Sequence, residues 1–373
     1  MHLIHRQVAS CAYSALTPFL PIFAKTNYMI IQLSPQANAL QINRIQEKAA
    51  QLGYAVSEVV TLQGKHYLVC IGKKEFDIRL LGQMQGVADI HRVSDAYKLT
   101  SRKWRTAPSM IDLGDGVVVG EGGMSLMAGP CSIEGEEQIR QTLDHLQATG
   151  IRIMRGGVYK PRSSPYAFRG MGMEGLRLWH QLAQARGIKI VSEVMQVSQI
   201  EPMLPYVDIF QVGARNMQNF NLLDELGKVD KAVMIKRGMS GSIEELLHCA
   251  EYVYSAGNEK LLLCERGIRT YETAYRNTFD LNAIAILKEK THLPVIADPS
   301  HGVGLRAYVA PLALAAVMAG ADGIIYETHQ TPERALSDGQ QTLNFAESAA
   351  MVDKIRRTYR LRQELQASVG SLC

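Results

Sequence analysis

Four residues with metal-ligating side chains stand just past apolar runs. They are Cys131 in "MAGPCSIEG", His301 in "ADPSHG", Glu327 in "YETHQ" and Asp338 in the loop that follows. A cysteine at the exit of an apolar run, where a turn opens into the acidic start of a helix, is placed for chemistry rather than packing. A thiolate, an imidazole and two carboxylates make a mixed donor set suited to a divalent transition metal such as Mn, Fe, Co or Zn. Taken singly, each has an ordinary reading: an inert core thiol, a capping histidine, two acids at helix starts. Their convergence on one rim favours the metal. His329 stays open between a supporting position behind that set and a merely solvated one.

A second group is basic: Arg155, Lys160, Arg162, Arg215, Lys236 and Arg266. Guanidinium forks suit phosphate and carboxylate oxygens, and each alone reads equally well as half of a salt bridge. Six around one mouth exceed the acids left after metal binding, so a polyanionic substrate with more than one phosphate is expected. Glu193, Arg237, Cys264, Glu265 and Asp298 close other apolar runs of the same kind.

These residues meet only if the runs that carry them are neighbours. Eight short strands, "SLMAGP", "IRIMRGG", "IKIVSEV", "VDIFQVG", "AVMIKRG", "KLLLCERG", "LPVIADPS" and "DGIIYET", alternate with helical patterns. Their continuous apolarity suits strands buried on both faces. The expectation is a closed (β/α)8 TIM barrel over residues 108–373, with chemistry at the carboxyl ends of its strands; a doubly wound open sheet is the alternative. Residues 29–93 read as βαββαβ, a small ferredoxin-like domain, with a short helix around "KEFDIRLLGQM". The polar stretch 94–107 reads as a linker. "MIDLGDGVVVGEGG" then reads as a hairpin leading into the barrel. Residues 1–28 contain no acidic residue and two prolines, and are expected to be a disordered extension rather than a cleaved targeting peptide.

Composition narrows the function classes. Hydrophobic residues make up 47% and charged residues 20% of 373, the balance of a globular protein with a sizeable core. A net charge of +4 from scattered bases argues against nucleic acid or a membrane surface as the main partner. Six cysteines without a CxxC pair read as reduced thiols in the cytoplasm.

The ordered motifs "AGPCSIE", "RGGVYKPRSSPYAFRG", "SEV", "QVGARNMQNF", "IKRG", "CERGIRTY", "ADPSHG" and "YETHQ…SDG" closely resemble the 3-deoxy-D-arabino-heptulosonate 7-phosphate (DAHP) synthase family from Trp104 to Phe345. The preceding module resembles the subgroup with an amino-terminal regulatory domain. The resemblance implies condensation of phosphoenolpyruvate with erythrose 4-phosphate, with release of phosphate, at the start of the shikimate pathway. It implies Cys131, His301, Glu327 and Asp338 as metal ligands. Arg155, Lys160, Arg215, Lys236 and Arg266 would contact phosphoenolpyruvate, with Glu193 nearby. Arg162 and Ser163 would hold erythrose 4-phosphate, serine standing where the family usually has threonine, and Asp338 would also face substrate. Lys160, Glu193, Cys131 and His301 are the expected catalytic residues, with Lys160 moving a proton. A homo-oligomer, a tetramer by resemblance, and feedback by tyrosine or phenylalanine at the amino-terminal domain are further implications. That effector would hold modules against the barrel mouth. The sister 3-deoxy-D-manno-octulosonate 8-phosphate synthase shares "DPSH" but has an asparagine-arginine pair where Pro161-Arg162 stands. An inactive barrel kept as a sensor is the remaining alternative.

Overall fold

The computed structural model describes residues 27–72, 76–160, 166 and 168–370. The amino-terminal part runs β1 (Asn27–Leu33), α1 (Ala39–Gln51), β2 (Tyr54–Val60), β3 (His66–Gly72), α2 (Arg79–Gly82) and β4 (Val87–Arg92). It forms one antiparallel sheet in the order β2-β3-β1-β4, the expected βαββαβ plan. A reciprocal cap starts α1: Asn38 Oδ1 accepts from Gln41 N, and Gln41 Oε1 accepts from Asn38 N. The helix lays Ile45 and Ala49 on Ile31, Leu68 and Cys70. The first strand begins two residues before Met29, because the ladder to β3 continues to Asn27 opposite Gly72. The helix expected around "KEFDIRLLGQM" is described only as the single turn α2; residues 73–75, like 1–26, lie outside the described residues.

The rest is a closed eight-stranded parallel barrel. Its strands are β7 (Ser125–Gly129), β8 (Ile153–Gly156), β9 (Lys189–Val194), β10 (Ile209–Val212), β11 (Ala232–Lys236), β12 (Leu261–Glu265), β13 (Val295–Ala297) and β14 (Gly323–Glu327). Closure comes from β14 pairing with β7, Gly323 opposite Ser125 and Glu327 opposite Gly129. The helices are α3 (Glu136–Thr149), α4 (Gly172–Gln184), α5 (Ile200–Met203), α6 (Phe220–Leu226), α7 (Ile243–Ser255), α8 (Leu281–Lys290), α9 (Pro299–Val303), α10 (Arg306–Met318) and α11 (Phe345–Gly370). Every residue of β8, β10, β11, β12, β13 and β14 is buried, which explains why these strands read as unbroken apolar runs. Met127, Ile153, Val191, Met234, Leu262 and Ile325 belong to one inner core. A hairpin of β5 (Met110–Asp112) and β6 (Val118–Gly120) adds Ile111, Val117 and Val119 to that core, at the amino end of the strands.

The polar stretch 94–107 is packed rather than loose. The Glu251 carboxylate on α7 accepts from Leu99 N, Thr100 N and Thr100 Oγ1 at 2.8, 3.0 and 3.1 Å, and Trp104 Nε1 donates to Leu99 O at 3.0 Å. Its backbone donors are satisfied from a distant helix, so the segment can be buried. The turn between β2 and β3 docks beside it. Leu62 N donates to Gly257 O, Thr61 Oγ1 and Lys65 Nζ reach Glu259, and Gln63 Nε2 reaches Asp230. Asp230, Gly257 and Glu259 precede strands. The small sheet therefore sits at the amino end of the barrel strands, opposite the mouth, and reaches the mouth of its own barrel only by leaving this contact. No helix among the described residues is long and apolar enough to cross a membrane.

Candidate active site

The carboxyl ends of the strands build one cavity of about 120 Å³. Its first wall is set by how closely β7 and β8 approach. A Cβ on Gly129 would lie 2.1 Å from Arg155 O, so only glycine fits there, and the chain turns at Pro130 to deliver Cys131. Arg155 then holds the turn, donating from one guanidinium nitrogen to Pro130 O at 2.9 Å and Glu327 Oε1 at 3.0 Å.

His301 is placed by α9. Asp298 caps that helix by accepting from His301 N at 3.0 Å, with Pro299 at the first position. The second Asp298 oxygen accepts from His301 Nδ1 at 2.8 Å and Lys236 Nζ at 2.5 Å. The hydrogen bond assigns the ring proton to Nδ1, leaving the Nε2 lone pair 3.4 Å from Glu327 Oε1. Burial lowers the His301 pKa against the pull of Asp298 and Glu327, keeping the ring in its neutral, ligating form.

Glu327, the last residue of β14, is 1% exposed, and its Oε2 accepts from Gln341 Nε2 at 2.6 Å. Asp338 adopts φ 52°, an uncommon backbone for a non-glycine residue, and such strain gathers at functional positions. Its Oδ2 lies 3.1 Å from Cys131 Sγ, and Ser337 Oγ lies 2.9 Å from the same sulfur. Donor atoms of Cys131, Glu327 and Asp338 all fall within 4.8 Å of one another. His301 stands outside this three-residue group, with its Nε2 facing Glu327 Oε1 alone. Burial, reinforced by Glu327, pushes the Cys131 thiol up to about 12. A thiol so placed ionises only when a cation joins it, and sulfur plus imidazole suit a borderline transition metal rather than magnesium or calcium. The residues fit a divalent transition metal.

The basic group separates into two kinds. Arg155 and Lys236 are bound to Glu327 and Asp298. Arg266, Arg215 and Lys160 line the same cavity, and none has an ion-pair partner among the described residues. Arg266 is 4% exposed, and burial lowers its pKa. A buried guanidinium without a carboxylate is costly unless an anion visits it. Lys160 folds over Gly157, where a Cβ would come within 2.5 Å of its Nζ, and Glu193 lies along Gly213, where a Cβ would meet Oε1 at 2.0 Å. Arg162 and Ser163 lie outside the described residues.

Other strand-end residues go elsewhere. Arg237 pairs with Glu265 and Asp280, both at 2.9 Å, and stiffens the wall. Cys264 belongs to the inner core. His329 is not solvated: it is 3% exposed, its Nδ1 accepts from Thr331 N, and its Nε2 lies 3.5 Å from Glu134 Oε2. Arg276 and Gln341, absent from the sequence reading, bridge Asp338 and Glu327. They come from connections with no periodic pattern.

The sequence profile of the DAHP synthetase I family matches residues 96–363. Phospho-2-dehydro-3-deoxyheptonate aldolase of Thermotoga maritima is 45% identical over 271 residues, 73% of this chain and 80% of that protein. The 2-dehydro-3-deoxyphosphooctonate aldolase of Syntrophotalea carbinolica is 31% identical over 281 residues, 70% of this chain and 98% of that protein. The crystal structure of the Thermotoga maritima DAHP synthase superposes with a TM-score of 0.70 at 39% identity, covering 89% of this chain and 97% of that one. A truncated form of the Thermotoga enzyme gives 0.66 at 42%, covering 70% and 95%. A profile spanning every barrel strand and a 45% identical relative over the same region place the chain in the DAHP synthetase I family.

Proposed function

We propose that this enzyme condenses phosphoenolpyruvate with erythrose 4-phosphate to give DAHP and phosphate, the first step of the shikimate pathway. The observation that carries this is the cavity itself: three cations without carboxylate partners among the described residues, Arg266, Arg215 and Lys160, face the Cys131, Glu327 and Asp338 cluster, with His301 beside Glu327. Two anionic substrates and one Lewis acid account for both groups. The 45% identity to a heptonate aldolase, against 31% to an octonate aldolase, favours the four-carbon aldose over arabinose 5-phosphate.

Cys131, His301, Glu327 and Asp338 would hold the metal, Mn, Fe, Co or Zn. When bound it supplies Lewis acidity toward the aldehyde oxygen of erythrose 4-phosphate. Arg266 and Arg215 bind the phosphate and carboxylate of phosphoenolpyruvate, with Arg155 and Lys236 lending charge from behind their own carboxylates. C3 of phosphoenolpyruvate bonds to the aldehyde carbon, and Lys160 Nζ gives a proton to the oxygen that becomes a hydroxyl. Water, deprotonated by Glu193, adds at C2. Loss of phosphate from the hemiketal phosphate leaves the seven-carbon keto acid. Arg162 and Ser163 hold the erythrose phosphate group.

The amino-terminal module carries feedback by tyrosine or phenylalanine within a homo-oligomer, and the enzyme works in the cytoplasm. The test is kcat/KM for erythrose 4-phosphate and for arabinose 5-phosphate with phosphoenolpyruvate saturating. A clear preference for erythrose 4-phosphate is expected; the reverse order assigns the octonate activity, and no phosphate release with either aldose would sink the enzymatic reading.

A further inference from the structure

Two residues that the reaction above does not use tie the carboxylates of the cluster together. Gln341, 2% exposed, donates from Nε2 to Glu327 Oε2 at 2.6 Å and accepts at Oε1 from an Arg276 guanidinium nitrogen at 2.9 Å. The same nitrogen lies 3.4 Å from Asp338 Oδ1. Only one orientation of the amide works. A guanidinium has no acceptor and a carboxylate no donor, so the oxygen must face Arg276 and the nitrogen Glu327. Glu327 is thereby fixed at both oxygens, Oε1 by Arg155 and Oε2 by Gln341.

Arg276 belongs to the connection between β12 and α8 and is itself anchored on the His301 segment. Its backbone N–H donates to Val303 O at 3.0 Å, at the end of α9. Its stem runs across Gly304, where a Cβ would lie 2.5 Å from Arg276 Cβ, and Gly304 has φ 73°. Arg276 therefore links the helix that presents His301, the strained turn that presents Asp338 and, through Gln341, the strand end that presents Glu327. Cys131 joins the same turn through Ser337.

We infer that Arg276 and Gln341 are positioning residues that act as one relay, setting the spacing of the Glu327 and Asp338 carboxylates for the cation. The inference rests on the metal reading of the cluster. Partners of this kind, one bond behind the ligands, are worth about 10–100-fold in metal affinity. A relay further requires that losing either member disable the other.

The test titrates the chelator-stripped full-length chain with Co²⁺, following the thiolate-to-cobalt charge-transfer absorption. Gln341→Met keeps the volume and removes both hydrogen bonds; Arg276→Ala removes the other member. Each is expected to bind Co²⁺ about 10–100-fold more weakly, read under conditions where the metal-free chain is fully folded. The double variant is expected to be no weaker than the weaker single one. Should Gln341→Met fail to fold, Arg276→Ala, whose side chain is 39% exposed, carries the test alone. Single variants within about twofold of the unaltered chain, or losses that multiply in the double variant, overturn the relay. Absence of any thiolate band in the unaltered chain would instead remove the metal reading, and this inference with it.

Discussion

His301 Nδ1 and Asp298 Oδ2 lie 2.8 Å apart, and Lys236 Nζ reaches the same oxygen at 2.5 Å. One carboxylate thus orients an expected metal ligand and neutralises a base on the substrate side. Burial works to raise the Asp298 carboxyl, but His301 and Lys236 beside it hold it well below the ordinary carboxylate range. Asp298→Asn keeps the shape, yet its amide N–H₂ must face either the His301 backbone N–H at the Oδ1 position or His301 Nδ1 and Lys236 Nζ at the Oδ2 position. At least one buried donor then goes unpaired, at a cost of about 1–3 kcal/mol. The expected result is a fall in both Mn²⁺ affinity and kcat of about 10–100-fold, read by metal titration and steady-state kinetics. Unchanged values would mean that Asp298 only caps α9.

Cys131→Ala is expected to abolish turnover while the chain folds normally. Sγ is buried between Ser337 and Asp338, so its loss costs about 1 kcal/mol of stability, the usual size for a small core truncation. Chelation of the unaltered enzyme should stop turnover, and Mn²⁺ should restore it. Full activity after exhaustive chelation rules the metal out.

Arg266 separates function from stability. As a buried guanidinium without an acidic partner among the described residues, it destabilises the substrate-free fold. Arg266→Met should therefore raise the unfolding temperature of the free enzyme. The same change should raise KM for phosphoenolpyruvate about 10- to 100-fold, the worth of hydrogen bonds to a charged group. A lowered unfolding temperature with KM unchanged would make Arg266 a structural cation.

How legible these residues were depended on the range of their contacts. Glu327 could be read directly because it ends a fully buried strand, where a charge has no packing reason to be. Arg237 ends its strand in the same way, yet it serves Glu265 and Asp280, and no spacing rule separates a wall-stiffening ion pair from a substrate contact. The stretch 94–107 read as a linker because its composition is polar, and the contact of its Leu99 and Thr100 backbone with Glu251, about 150 positions away, has no local signal. Gln341 and Arg276 act across 65 positions between irregular connections, and no local pattern encodes such a pairing.

His292 gives the stability curve a definite sign. It is 2% exposed, with Nε2 against Leu99 O and Nδ1 against Ser109 Oγ, both at 2.8 Å. Burial lowers its pKa to about 3, from about 6.5 when unfolded. Between those values the unfolded chain binds the extra proton and the folded chain does not. Stability is therefore complete above about pH 6.5 and falls by about 1.4 kcal/mol per pH unit as acid is added, levelling near pH 3. His292→Gln should flatten this acid limb in urea unfolding measured from pH 7 to 4. An unchanged slope would assign the acid sensitivity to other groups.

The amino-terminal module sits at the end of the barrel opposite the cavity, so any control it exerts on catalysis must act at a distance or by relocation. Its contact is polar at the centre: Glu259, 6% exposed, takes Thr61 Oγ1 at 3.2 Å and Lys65 Nζ at 2.5 Å, with Arg105 at 3.4 Å from the connecting segment. Around it, Tyr67 packs edge-on against Trp104 with centroids 5.3 Å apart. Ile30, Val59 and Val69 of the module are buried in the same apolar core as Trp104 and Tyr254, so relocation would expose apolar surface. An effector that prefers one arrangement shifts the balance by its difference in affinity. A coupling of about 1–3 kcal/mol alters apparent substrate affinity roughly 5–150-fold. Deleting residues 1–93 should leave kcat near that of the whole chain, because every described cavity residue lies on the barrel. It should also abolish inhibition by tyrosine or phenylalanine. The truncated barrel should unfold at lower temperature, since Glu259 loses two partners and Trp104 loses its cover. Inhibition constants that survive the deletion would put the effector site on the barrel and leave the module a purely structural role.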